Sequence, residues 1–253
     1  MIFKCKSKSD PFHKDIKFDD IKHITIGEGE NSIILYNIII ASTNEDDCLV
    51  SLAGSNETVN SLLVNKINDT LTIDFPRNYT NNGVYNCKGS EGNLVALRDI
   101  TENIDIIIKV RNLQSLSIHD TSIDAGRFLI KIPVGYLFIN STGMSSFEVE
   151  YAENAKIFIS GNSCLKLKNL SSDLVGCITG SGNIDIDNGS PAFVDISISG
   201  SGNVNANITA KKAQLSISGS GSIMVEHVIE EVVEQQTGTG NIVVKKRGQA
   251  FTL

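Results

Sequence analysis

Between residues 159 and 244 a short phrase returns at almost even spacing. Ile178-Thr-Gly-Ser-Gly-Asn-Ile-Asp-Ile186 is followed by Ile198-Ser-Gly-Ser-Gly-Asn-Val-Asn-Ala206, Ile217-Ser-Gly-Ser-Gly-Ser-Ile-Met-Val225 and Gln236-Thr-Gly-Thr-Gly-Asn-Ile-Val-Val244. A degraded copy, Ile159-Ser-Gly-Asn-Ser-Cys-Leu-Lys-Leu167, precedes them, and a weaker one is read as starting at Ile139. The steps from 139 to 159, 178, 198, 217 and 236 are 20, 19, 20, 19 and 19 residues. At about 3.3 Å per extended residue, such a step traces roughly 60–65 Å. That is the perimeter of a coil with three short strands and three corners. It is too short for a propeller blade of about 40–45 residues, and the Leu-x-x-Leu-x-Leu frame of leucine-rich repeats is missing. The expected fold is therefore all-β, with a parallel β-solenoid of about 19–20 residues per coil in the C-terminal half.

Side-chain alternation points the same way. One column reads Ile159, Ile178, Ile198, Ile217; a second reads Leu165, Ile184, Val204, Ile223, Ile242; a third reads Leu167, Ile186, Ala206, Val225, Val244. Within each repeat the second and third columns lie two residues apart, on one face of a pleated strand. Stacking the coils turns each column into a core ladder. Candidate structural positions are the corner glycines Gly161, Gly180, Gly182, Gly200, Gly202, Gly219, Gly221, Gly238 and Gly240, where a sharp turn with positive φ is expected. The residue after each pair forms a polar column, Asn183, Asn203 and Asn241, with Cys164 and Ser222 as substitutes, able to build a side-chain ladder. A phosphate cradle needs a helix after the glycines. Here a second strand is expected each time, so the motif is read as a corner.

Toward the N-terminus the repeat fades while short apolar or alternating runs persist, as in Phe18 to Tyr36, Leu49 to Ala53 and Leu71 to Phe75. The expected organisation is a tail over 1–14, an irregular β-rich part over 15–103 with a polar loop over 76–99, the solenoid over 104–247, and a tail over 248–253. Val225 to Gln236 has some helical character, but it occupies a solenoid step and is read as strand. Trp is absent, so the core must be filled mainly by Ile, Leu and Val.

Little catalytic chemistry is visible. The five cysteines are scattered with no Cys-x-x-Cys pair, and are read as free, buried thiols; a Cys164–Cys177 bridge is the lesser reading. The four histidines have no metal spacing. His119-Asp120 suits an oriented imidazole, but a solvated turn is the preferred reading. Acid pairs at Glu45-Asp-Asp47 and Asp185-Ile-Asp187, with Asp195 nearby in sequence, are the candidates for a polysaccharide-acting site. Because Asn205 and Met224 follow Asp185 in its column, they are read as surface charge. No cofactor or metal is expected. A net charge of −7 argues against nucleic acid as partner. No apolar run is long enough to span a bilayer, and no signal peptide is read from the first residues.

The recurrent Ser-Gly-Ser-Gly-Asn-Val/Ile element and Phe18-Asp-Asp-Ile-Lys-His-Ile-Thr-Ile-Gly27 resemble the head GIN domain family, bacterial proteins described as autotransporter adhesins. Gly182-Asn-Ile184 and Gly240-Asn-Ile242 echo the name, and the resemblance covers residues 15–247. It implies a right-handed parallel β-helix, in line with the usual hand of parallel crossovers, and export to the cell envelope. The functional expectation is a non-enzymatic solenoid for surface display, adhesion, or contact with a glycan or protein surface. The alternatives are a cytoplasmic, self-assembling scaffold of bactofilin type and a polysaccharide-acting β-helix enzyme. Lys245-Lys-Arg247, just after the last repeat, reads as a charged, protective edge.

Overall fold

A computed structural model describes residues 11–27, 35–74, 103–120 and 126–248. The polar stretch 76–99, Cys5 and Cys87 lie outside the described residues. Strands make up 72% of the described residues and helix 3%, in a β-solenoid of about seven turns.

The chain runs β1 (Phe12–Phe18), β2 (His23–Ile26), β3 (Leu35–Ser42), β4 (Cys48–Gly54), α1 (Asn56–Ser61), β5 (Leu63–Ile67) and β6 (Thr70–Asp74). It continues through β7 (Asn103–Val110), β8 (Leu113–Asp120), β9 (Arg127–Ser141), β10 (Ser146–Ile159), β11 (Cys164–Leu167) and β12 (Leu174–Ile178). The last elements are β13 (Asn183–Ile186), β14 (Phe193–Ile198), β15 (Asn203–Gly219), β16 (Ser222–Gly238) and β17 (Asn241–Arg247). All 17 strands belong to one sheet wound around itself. Strand β1 runs through the boundary drawn at residue 14. The stretch Val225 to Gln236 is strand, inside β16.

Two long ladders carry the core. On the first face, β9, β10, β11, β13, β15, β16 and β17 pair in parallel. Their register stacks Phe128, Phe147, Leu165, Ile184, Val204, Ile223 and Ile242. The Phe128 and Phe147 rings lie nearly parallel, with centroids 4.6 Å apart. On the second face, β12 and β14 lie between the C-terminal parts of β9 and β10 on one side and those of β15 and β16 on the other, and the register stacks Ile159, Ile178, Ile198 and Ile217. Coils about 4.8 Å apart put like on like, so no coil has to bury its face alone.

The weak copy placed at Ile139 is out of register by two residues. Ser141, not Ile139, lies opposite Ile159. The column thus continues toward the N-terminus as Ser141 and then Asp120, which is Ser141's partner across β8 and β9. Two polar residues at interior positions hid the true step from a pattern search.

The N-terminal half carries the same two ladders in a different chain order. Strand β2 lies parallel between β6 and β8, and β3 lies parallel between β7 and β9. Strands β2 and β3 are therefore inserted between strands made later in the sequence. Beyond β7 the first ladder turns antiparallel through β4 and then β1, and β5 and β6 form an antiparallel hairpin. Helix α1 sits at this end: Ser55 caps it by accepting from the Thr58 N–H at 3.1 Å. Its Val59 and the following Leu62 are buried in the core.

The opposite end closes with polar groups. In β16 the interior positions that follow Leu215 and Ile217 hold Glu234 and Gln236. Arg247 donates to Glu234 at 2.6 Å, and Gln236 donates to the Gly240 carbonyl at 2.6 Å.

Candidate functional site

The corner glycines sit where successive coils come closest. A Cβ on Gly202 would stand 2.5 Å from the Gly182 carbonyl oxygen and 2.6 Å from Ile178 Cγ2; one on Gly240 would stand 2.6 Å from the Gly221 carbonyl oxygen. Gly182 and Gly221 meet the same obstruction from the coil before. The outer glycines stack too: Gly161, Gly180, Gly200, Gly219 and Gly238 each place their missing Cβ against a backbone carbonyl of the preceding coil. Positive φ, the expected reason for glycine, applies among the corner glycines at Gly238, where φ is 96°, and at Gly219, where it is 149°, while Gly200 at 159° borders on extended backbone. Elsewhere in the corner the cause is close approach of backbones, for which a side chain leaves no room.

The polar column beside the glycines faces outward. Asn203 Nδ2 donates to Asn183 Oδ1 at 3.1 Å, and Ser222 Oγ donates to Asn203 Oδ1 at 2.7 Å. Asn183 Nδ2 reaches Cys164 Sγ at 3.7 Å, and Asn241 lies opposite Ser222 in the register. The three cysteines described are free: Cys48 is buried, Cys177 half-buried and Cys164 exposed. Cys164 and Cys177 lie on different strands of different ladders, so they form no bridge, and burial is right for Cys48 alone. Burial pushes the Cys48 thiol up to about 11.

The candidate acids do not assemble a buried site. Lys166 pairs with Asp187 at 3.3 Å, while Lys168 pairs with Glu150 at 2.7 Å and Glu148 at 3.3 Å. These are outward ladders of alternating charge. Asp195 lies on the other ladder, paired with Val175 and Gln214. Asp46 and Asp47, from the first acid run, do line a depression of about 400 Å³ with Asp19, Asp20, Lys22 and Arg111. Asp46 pairs with Arg111, and the Lys66 ammonium hydrogen-bonds Asp19 and holds its carboxyl below the usual range. The side chains of Asp19 and Asp46 are 84% and 88% exposed. Acid–base catalysis relies on a carboxyl perturbed by burial, and these acids stand in water. Among the described residues no group of three His, Cys, Asp or Glu side chains is placed to hold a metal.

Asp120 is not in a solvated turn. It is 1% exposed, in the interior column. Tyr36 donates to its Oδ1 and Ser141 Oγ donates to its Oδ2 at 2.6 Å. Ser163 Oγ continues the chain, 2.7 Å from Ser141 Oγ, and accepts from the Ser145 N–H at 2.9 Å. This buried polar network joins the inserted strand β3 to the start of the regular coils. Its neighbour His119 points outward, its ring 5.2 Å from that of Phe138.

Outward on the second ladder, Phe138 and Phe158 border an open recess of about 340 Å³, with centroids 6.0 Å apart. Asn140, Ser160, Cys177 and Thr179 complete its lining together with Ile159. Sequence reasoning passed over this aromatic pair, although its signal was present. In Leu137-Phe-Ile139 and Ile157-Phe-Ile159 the middle of three apolar residues on an alternating strand must point outward.

A family model described as "Putative auto-transporter adhesin, head GIN domain" matches residues 37–248. The chain belongs to this family. The Gly182-Asn-Ile184 and Gly240-Asn-Ile242 elements of this head GIN protein are its corner and the start of the following strand. Solved structures share the fold. A putative adhesin from Bacteroides fragilis NCTC 9343 is similar at 14% identity, with a TM-score of 0.61, over 95% of this chain and 98% of that one. A putative adhesin from Parabacteroides merdae ATCC 43184 is similar at 15% identity, with a TM-score of 0.59, over 96% and 98%. A protein from Parabacteroides distasonis ATCC 8503, described as a putative lipid binding protein, is similar at 19% identity, with a TM-score of 0.54, over 96% and 98%. No curated protein matches the chain. Among the described residues no helix is long and apolar enough to cross a membrane.

Proposed function

We propose that this head GIN protein is a non-enzymatic contact protein of the cell envelope that engages a glycan or protein surface along its flanks. The observation that carries the reading is the single wound sheet: one side of every ladder is core, and the other presents straight columns of outward side chains. Such flanks offer extended surfaces without an enclosed pocket. The family's adhesin description and the similar structures agree with this reading. The exposure of the carboxylates around Asp19 and Asp46 speaks against a polysaccharide-cleaving enzyme. The helix-covered end and the Arg247–Glu234 clasp speak against end-to-end assembly as a scaffold.

The test is cell fractionation followed by protease shaving of intact cells, with binding of the purified protein to immobilised glycans and matrix proteins. Digestion on intact cells and saturable binding are the expected results. A chain protected inside the cytoplasm would overturn the reading.

A further inference from the structure

The recess on the second ladder has a composition that specifies a ligand class. Its rings come from adjacent coils: Phe138 lies on β9 and Phe158 on β10, and the register sets Asn140 directly beside Phe158. Both rings are only half-buried, although the strands they stand on are fully packed inside. Lys156 covers part of Phe158, with its ammonium 5.3 Å from the ring centroid. At the rim, Asn140 supplies an amide and Thr179 a hydroxyl. No carboxylate and no guanidinium lines the recess.

We propose that this recess binds neutral pyranoside units of a glycan, resting on the proposed role in surface contact and assigning it a place. The ring faces of Phe138 and Phe158 carry negative quadrupole charge, which suits the weakly positive C–H face of a sugar ring. Asn140 and Thr179 hydrogen-bond the equatorial hydroxyls around that face, as donor and acceptor. An apolar floor with a few placed polar groups is the usual make-up of a small-ligand site. The recess is open along the ladder, so the ligand enters as part of a longer chain.

The experiment is saturation-transfer NMR and calorimetry on the full chain with cellotetraose, laminaritetraose and mannotetraose. Saturation is expected at pyranose C–H protons for at least one of them. Phe158→Ala should weaken that binding about tenfold, and Phe158→Trp should retain or tighten it. Both changes are on the outward face, and an unchanged thermal midpoint verifies folding. Binding that survives Phe138→Ala and Phe158→Ala together, or occupancy of the recess by phosphatidylcholine vesicles with none of the sugars, would overturn the assignment. Binding of the same double variant to immobilised matrix protein is followed in parallel. If that persists while no sugar binds, the recess assignment fails and the contact role stands.

Discussion

Tyr36 and Asp120, 84 residues apart in sequence, meet inside the protein, where the phenol hydroxyl donates to Asp120 Oδ1. Together with Ser141, this pair ties the inserted strand β3 to the interior column that later coils fill with isoleucine. Tyr36→Phe removes one donor from a buried carboxylate, at a cost of about 1–3 kcal/mol. The thermal midpoint should fall by about 2–4 °C for each of those kcal/mol. The control is Tyr136→Phe, whose ring is exposed and which should leave the midpoint within experimental scatter. Differential scanning calorimetry of the two variants decides the matter; equal midpoints would show that the network adds nothing.

Two glycines should respond in opposite ways to the same methyl group. Gly202→Ala forces a Cβ to 2.5 Å from a carbonyl oxygen of the neighbouring coil, and should destabilise the chain by several kcal/mol or prevent folding. Gly176→Ala meets only Ile184 Cδ1 at 3.5 Å and Ile196 Cγ1 at 3.8 Å. It should be neutral or stabilise by about 0.4–1 kcal/mol through the unfolded chain. Soluble yield and urea midpoints of the two variants provide the check.

The cysteines should separate by reactivity. The Cys48 thiol, raised to about 11 by burial, should resist iodoacetamide at pH 8, while Cys164 is modified rapidly. Peptide mapping after timed quenching reads both sites. The same shift gives a pH dependence. Burial favours the protonated thiol, so the folded state holds its proton where the unfolded chain, near 9.0, has lost it. This contribution is whole below pH 9 and is lost as the pH rises toward 11. Cys48→Ala should flatten that part of the stability profile.

The polar end of the stack is a further target. Replacing Glu234 with Val and Gln236 with Ile continues the Leu215 and Ile217 columns to the last coil and breaks the Arg247 clasp. The double variant should self-associate more strongly than the parent in sedimentation velocity. Matching sedimentation profiles would refute the capping role.

The regular coils were legible in the sequence because one phrase, its glycines and its aliphatic columns recur at constant spacing. The register of β9 was not, because Ser141 and Asp120 stand where the pattern calls for an apolar residue. Their burial depends on Tyr36, which arrives from a distant strand. The chain order of the first half was hidden for a related reason: β2 and β3 look like ordinary strands, and nothing local names their neighbours. The reason for the glycines was legible only in part. Turn geometry can be read from one coil, whereas the approach of a carbonyl from the next coil belongs to the stack. The aromatic recess was written in two triplets, Leu137-Phe-Ile139 and Ile157-Phe-Ile159, whose outward middle residues were passed over.

The placement of β2 between β6 and β8, and of β3 between β7 and β9, governs the order in which the molecule can be completed. Both strands leave the ribosome early, yet β2 is flanked by strands that end at Asp74 and Asp120, and β3 by strands that end at Val110 and Ser141. During synthesis β3 has neither neighbour until β7 is made, while every coil after β10 finds its neighbour already made. The molecule is thus closed along an interior seam, and β3, an early strand, can be sealed only after the chain has passed its midpoint.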